Sequence, residues 1–203
     1  DLYWNRMIDL VVEPDLGTAR VLDFGCNQGG FLRLLHARKP FARALGVDIA
    51  RAAVEVARSR RTTEPVEYRV VQLLDEVTEV FDVAFSHEVV YLIEDIDAHA
   101  RAMQARLVPG GIYYVAIGCH TDNPAWPEWA VEIPKKSNLP VFGRSLREYG
   151  EAFAAAGFEV AARPFGLGDR FLSMDGSEHL SRSFADRLAY VERVKTLFRL
   201  EKC

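Results

Sequence analysis

Cysteine is scarce in this sequence: Cys26, Cys119 and Cys203 are scattered, odd in number and form no CxxC pair. That argues against a disulfide framework and against a cysteine zinc site, and it fits a reducing, cytoplasmic setting. No apolar run approaches the ~20 residues a membrane-spanning helix needs. Positive charge is not in excess either: the net charge is −4 over 203 residues, without the basic surplus that nucleic acid calls for. Internal repeats and low-complexity tracts are missing. The first residue is Asp1 rather than Met, so targeting is not judged from this end. What is present is ordinary for a folded soluble chain, 49% hydrophobic and 27% charged. The length suits one sizeable core and not two, so residues 1–203 read as a single domain.

Strand-like and helix-like segments alternate. Apolar positions at helical spacing (Leu2, Tyr3, Met7, Ile8, Leu10, Val11) predict a helix over 2–12, ended by Pro14 and Gly17. Strand patterns fall at 19–24, 44–47, 66–71, 81–85, 112–117 and 158–163, and helical ones between them at 31–37, 52–59, 99–107 and 144–156. Pro109-Gly110-Gly111 stops the third of these helices and Gly157 the fourth. Such alternation predicts an α/β fold, a mostly parallel sheet with helices on both faces. In the tail, Leu180, Phe184, Leu188 and Val191 make one helical face, and 196–202 is apolar enough for a last strand. No helix separates that strand usefully from a parallel partner, which places it antiparallel beside the sixth.

The strongest chemical signal is Val21-Leu22-Asp23-Phe24-Gly25-Cys26-Asn27-Gln28-Gly29-Gly30, a buried strand running into a glycine-rich turn that opens a helix. Such a turn brings backbone close to a ligand and aims free N–H groups at it. Asp48 closes the second strand 23 residues after Gly25, where an acid can accept both hydroxyls of a ribose. A nicotinamide dinucleotide fits poorly: Asn27 stands where its fingerprint has a second glycine, and Asp23 would repel a pyrophosphate. S-adenosylmethionine has no phosphate and carries a sulfonium and an ammonium, for which an acid beside the turn is favourable.

Asp23-Phe24-Gly25-Cys26-Asn27-Gln28-Gly29 resembles the first motif of the class I S-adenosylmethionine-dependent methyltransferases. Ala44-Leu45-Gly46-Val47-Asp48-Ile49 is similar to their second motif, and Phe81 to Tyr91 to their fourth. Leu107-Val108-Pro109-Gly110-Gly111 resembles the turn before their fifth strand, and Ala156-Gly157-Phe158-Glu159 their sixth-strand approach. The likeness covers roughly residues 19 to 164. It implies a Rossmann-like seven-stranded sheet with an antiparallel last strand and S-adenosyl-L-methionine as methyl donor. It further implies cofactor contacts at Asp23, Gly25, Cys26, Asn27, Gly29, Asp48, Ile49, Gln72, Leu73 and Ser86. Two departures stand out. Asn27 replaces a glycine, although Asn tolerates positive φ. Gln72 takes the place of an acid that accepts the adenine amino group, with Asp75 as the alternative.

For the chemistry, His87 lies just past the fourth strand, at the sheet edge where ligands bind. It reads as a general base or a group orienting the acceptor, or else as a residue packed beside the cofactor. Glu88 reads first as a cap for the next helix, Tyr91 as pocket wall or core. The stretch 118–143, with four prolines, reads as a substrate lid carrying His120, Trp126 and Trp129, or else as a packed surface loop. Tyr3 and Trp4 on residues 1–17 either close the same mouth or pack their helix onto the sheet. His36, His99 and His179 read as surface residues. Cys26 reads as a small residue in a crowded turn, and Asp82 as a structural turn residue. Base-methylating members of the family carry an Asn/Asp-Pro-Pro-aromatic run where this chain has Ser86-His87-Glu88-Val89, so no nucleic-acid base is expected. Glu94, Asp95 and Asp97 look like helix-start acids, so no metal is expected. A small-molecule acceptor remains. The alternatives are a non-catalytic S-adenosylmethionine-binding module, a methyltransferase acting on protein or RNA, and a nicotinamide oxidoreductase.

Overall fold

The computed structural model describes residues 2–174 and 183–203. Its elements run α1 (Leu2–Asp9), β1 (Leu16–Phe24), α2 (Gly30–Arg38), β2 (Phe41–Asp48), α3 (Arg51–Ser59), β3 (Val66–Val70), β4 (Phe81–His87) and α4 (Ile96–Ala105). They continue with β5 (Leu107–Ile117), α5 (Trp126–Ser137), α6 (Leu146–Ala155), β6 (Phe158–Pro164), α7 (Phe184–Ala189), a π-helical turn (Tyr190–Val194) and β7 (Thr196–Lys202). The seven strands form one sheet in the order β3-β2-β1-β4-β5-β7-β6. The first five strands pair in parallel, and β7 runs antiparallel between β5 and β6. The antiparallel last strand beside the sixth is as the sequence predicts.

Both faces of the sheet are buried, and alternate residues of one strand serve different cores. Val21, Val83, Phe85, Ile112 and Tyr114 join the core under α1, α2 and α3. Leu22, Ala84, Tyr113, Val115 and Ile117 join the core under α4 and α6. No described helix is long and apolar enough to cross a membrane, and the three cysteines are free thiols.

Several expectations need correction. Pro109-Gly110-Gly111 is not a stop before β5 but lies inside it. The register jumps from Phe81↔Leu107 to Val83↔Ile112, a bulge that Gly110 accommodates at φ 71°. The stretch 118–143 is not all loop. Pro127 falls in the first turn of α5, where a missing N–H leaves no hydrogen bond unmade, and Asn138 closes the helix at φ 56°. His99 is not a surface residue: it shares the inward face of α4 with Ile96, Ala100 and Met103. Its ring lies 4.7 Å from Phe24 and its Nε2 is 3.2 Å from the Tyr113 hydroxyl. His36 is half-buried, edge-on to Phe41 at 4.8 Å, and His179 and Leu180 lie outside the described residues. The tail face is broken as well. Val191 is buried while Leu188 is 39% exposed, because the chain passes from α to π winding between them.

Candidate functional site

The glycine-rich turn leaves β1 next to the end of β2. Gly25 and Cys26 both donate their backbone N–H to Val47 C=O, at 2.9 and 3.0 Å. Three residues of the turn take left-handed conformations, Gly25 (φ 81°), Asn27 (φ 46°) and Gly29 (φ 70°). A side chain at Gly25 would collide with Val89, and one at Gly29 with the Tyr68 ring, so both glycines are required sterically as well as conformationally. Asn27 holds the one left-handed position with room for a side chain, as its residue type allows.

Two carboxylates face this turn. Asp48 accepts hydrogen bonds from the N–H of Asn27 and of Ala50, both at 2.8 Å, which fixes its orientation at the tip of β2. Asp23 is buried, and its Oδ2 has no hydrogen-bond partner. Burial, and then the neighbouring Asp48 carboxylate, push the Asp23 pKa up to about 8. Burial likewise raises the Cys26 thiol, helped by both acids, which leaves it inert. Beyond Asp48, Ile49 and Leu73 are apolar side chains left 51% and 68% exposed. The N–H groups of Gln72 and Leu73 both donate to Glu76 Oε1, so that loop is held by an acid the sequence reading passed over. The alternative, Asp75, sits 3.8 Å from Arg106. Ser86 is fully buried in β4 with an unpartnered hydroxyl.

A second group of side chains gathers at the same edge of the sheet, past β4, β5 and β6 and just before β7. The His87 ring lies 6.2 Å from Tyr3 and 6.4 Å from Phe165. Its Nε2 is shielded and unpartnered. Burial first, and the Lys195 charge second, lower the His87 pKa to about 3 against the pull of Glu88, so the ring is neutral. Glu88 does not cap the next helix; Asp95 does that, accepting from Ala98 N–H. Instead Glu88 adopts φ 57° and turns inward. It accepts from Lys195 Nζ, from the Tyr190 hydroxyl at 3.0 Å and from Gly118 N–H at 3.1 Å. Burial alone would raise its pKa; Lys195, His87 and these donors outweigh that and hold it below the usual carboxylate range. Lys195 is 1% exposed, its Nζ over the rings of Tyr3 (5.2 Å), Phe165 (5.3 Å) and Tyr190 (5.9 Å).

The other expected acceptor residues are spread more widely. Tyr3 joins His87, whereas Trp4 packs on Gly30 at the start of α2. Tyr91 is half-buried between two apolar clusters, and burial raises its phenol pKa. His120 is buried, and its Nε2 pairs with Val194 C=O at 3.0 Å, bracing the segment after β5 against the π turn. Trp126 and Trp129 pack with Cys119 and Ile133; Trp129 meets the His87 group at Tyr190, 5.1 Å away. A cavity of about 280 Å³ opens between Trp129, Asn123, Asp186 and Tyr190. Sequence reasoning missed Lys195, Tyr190 and Phe165. The available signal was a lysine set in the run Val194-Lys195-Thr196-Leu197-Phe198, where a solvated residue breaks an apolar pattern. Among the described residues no three His, Cys, Asp or Glu side chains gather as a metal site.

Comparison with known proteins gives consistent results. A family model described as "Methyltransferase domain" matches residues 3–163. A ubiquinone biosynthesis O-methyltransferase of Brucella ovis is 35% identical over 101 residues, 48% of this chain and 40% of that protein. The chain thus matches well under half the length of that relative. Among solved structures, a methyltransferase in complex with the Haloferax volcanii Trm112 methyltransferase activator superposes with a TM-score of 0.82 at 22% identity, covering 99% of this chain and 88% of that one. An S-adenosylmethionine-dependent methyltransferase from Mesorhizobium loti gives 0.73 at 18% identity, over 100% and 98%. The chain belongs to the methyltransferase-domain family and has the fold of the class I S-adenosylmethionine-dependent enzymes.

Proposed function

We propose that this protein moves a methyl group from S-adenosylmethionine to a small-molecule acceptor, with residues 1–203 working as one domain. The observation that carries the reading is a juxtaposition. Asp23 and Asp48 flank a left-handed turn at the end of β1, and His87 ends the adjacent strand β4 among aromatic rings. The first half fits the cofactor: a buried carboxyl with an unpartnered oxygen suits a cationic ligand, and a cradle that a Cβ would fill suits close approach of backbone.

When bound, S-adenosylmethionine supplies an electrophilic methyl on a sulfonium. Gly25, Cys26, Asn27 and Gly29 would shape the backbone around it, and Asp23, directly or through water, would meet its positive charge. Asp48, a carboxylate already oriented by two N–H groups, would receive the ribose hydroxyls. Ile49, Gln72 and Leu73 would border the adenine, for which the two exposed apolar side chains would provide cover. Ser86 lies below, in β4. On the acceptor side His87, being neutral, holds and orients the acceptor's reacting atom rather than storing its proton. Tyr3 covers His87, so α1 acts as a lid that must move for the acceptor to enter. The segment 118–143 forms the outer wall through Trp126, Trp129, His120 and Tyr91. Catalysis then consists of alignment and exclusion of water, which suffices for so reactive a donor.

S-adenosylhomocysteine should bind with micromolar affinity, about −8 kcal/mol. Asp48→Ala should lose ~1.5–3 kcal/mol of that, through hydrogen bonds to a charged acceptor. Titration calorimetry decides: no heat of binding to the unmutated chain removes the cofactor and the function with it.

A further inference from the structure

The Lys195–Glu88 pair extends this reading to the class of acceptor, and rests on it. Burying an ion pair adds little net stability over a well-packed apolar pair, so its presence wants another reason. The backbone around it is unusual on both sides. Glu88 is a non-glycine residue at φ 57°, and Lys195 is delivered by a π turn closed by its own N–H on Tyr190 C=O at 2.8 Å. Such strained or rare geometries cluster at functional sites. Among the described residues Lys195 Nζ gives one hydrogen bond, to Glu88, and it faces the rings of Tyr3, Phe165 and Tyr190. The His87 ring, whose Nε2 is unpartnered, lies beside two of these rings, Tyr3 and Phe165. A positive charge and a free ring nitrogen therefore converge in an aromatic enclosure at the end of β4.

We propose that Lys195 and His87 together receive an oxyanion, and that the acceptor is an ionisable hydroxyl on an aromatic ring, methylated as its phenolate. The chemistry selects among acceptors. A buried ammonium beside the reacting atom opposes the positive charge that grows on an attacking amine. An aliphatic hydroxyl needs a base, and His87, kept neutral at pH 7 by burial, is a weak one. A phenol loses its proton to solvent before the site closes, and Lys195 and the His87 Nε2–H tautomer compensate the charge left behind. An oxygen lone pair then forms the new C–O bond as the methyl–sulfur bond breaks, and that bond's electron pair stays on sulfur. Phenolate and sulfonium charges vanish together, and the Glu88–Lys195 pair is left as it began. The groups facing Lys195 are Glu88 and His87 after β4, Tyr3 on α1, and Tyr190 on the π turn. Cys119 and His120 lie past β5, with Arg187 of α7 acting on Tyr3. Burial pushes Tyr3, Tyr190 and Cys119 toward their neutral forms, which leaves Glu88 as the negative charge that an entering phenolate must share Lys195 with.

The test is titration of para-nitrophenol, whose phenolate absorbs visible light, into the full chain saturated with S-adenosylhomocysteine across a pH series. Bound nitrophenol should ionise at least about one pH unit below the free compound, a tenfold preference for phenolate. Lys195→Met should abolish that shift and Lys195→Arg should keep part of it. Because Lys195→Met strands Glu88, the double variant Glu88→Gln/Lys195→Met serves as the folded control. It should bind S-adenosylhomocysteine nearly as the unmutated chain does and show no shift. Nitrophenol bound as the neutral phenol, a shift that survives in the double variant, or no nitrophenol binding by a chain that still binds S-adenosylhomocysteine overturns the proposal. So does benzoate displacing nitrophenol at equal affinity, which would mark a carboxylate site. A chain that binds no S-adenosylhomocysteine overturns the underlying methyl-transfer reading as well.

Discussion

Asp48 and Glu88 both stand where a parallel strand runs out at the same edge of the sheet, yet their carboxylates meet different worlds. Asp48 takes two backbone N–H groups, from residues 21 before it and two after it, beside the exposed side chains of Ile49 and Leu73. Glu88, half-buried, takes a fully buried lysine, a tyrosine and one N–H, from residues 107, 102 and 30 positions away. One region is made of a short continuous stretch whose working parts are main-chain atoms and turn residues. The other is made of side chains from five segments that meet only once the sheet has closed. The contrast suits a fold that holds one donor by a fixed local device and sets its acceptor by tertiary packing, which can vary without disturbing the first.

The sharpest way to break that contrast is Glu88→Ala. It leaves Lys195 buried without a counter-charge and should cost about 3–5 kcal/mol of stability, read from the denaturant midpoint. Asp48→Ala should move the same midpoint little while weakening S-adenosylhomocysteine. Equal stability losses at the two sites would erase the distinction. Next in size is His87→Ala, which removes one oriented group from the acceptor side. Single-turnover rates should fall about 10²–10³-fold with cofactor affinity nearly unchanged; a rate and an affinity that drop slightly and together would make His87 a packing residue only.

The smallest effect concerns pH. Burial lowers His99 to about 4 from the ordinary 6.5, so between these values the unfolded chain binds more protons than the folded one. That contribution is present above 6.5 and is lost as pH falls toward 4. His87 acts in the same direction down to about 3. His99→Gln should therefore move the acid-unfolding midpoint to lower pH by less than about one unit. A midpoint moving upward would mean that the Tyr113 contact outweighs the cost of burying the imidazole.

The same contrast explains what the sequence made legible. The strands β1, β2, β4 and the last, antiparallel β7 are readable because burial demands apolar runs, and a glycine and an acid together mark the ends of β1 and β2. The bulge in β5 was misread because Pro109-Gly110-Gly111 has turn chemistry, and only pairing with β4 shows that it sits within a strand. Helix α5 was misread because, although Pro127 falls in its first turn where proline is tolerated, Pro134 lies inside the helix, where local rules argue against helix and only tertiary packing overrides them. His99 and Lys195 share one cause. A polar residue in or beside an apolar run gives only a weak mark of burial, and what settles it is the partner that satisfies it, Tyr113 in one case and Glu88 in the other, which folding brings in from another element.

The central claim is transfer of a methyl group to a small aromatic acceptor, and single-turnover transfer from isotope-labelled S-adenosylmethionine to a panel of hydroxy-, amino- and carboxy-aromatics tests it most directly. Label should appear on the hydroxy-aromatics, with a rate that falls in His87→Ala. A panel that stays unlabelled, while a protein or an RNA in the same assay takes up the methyl group, would contradict the account.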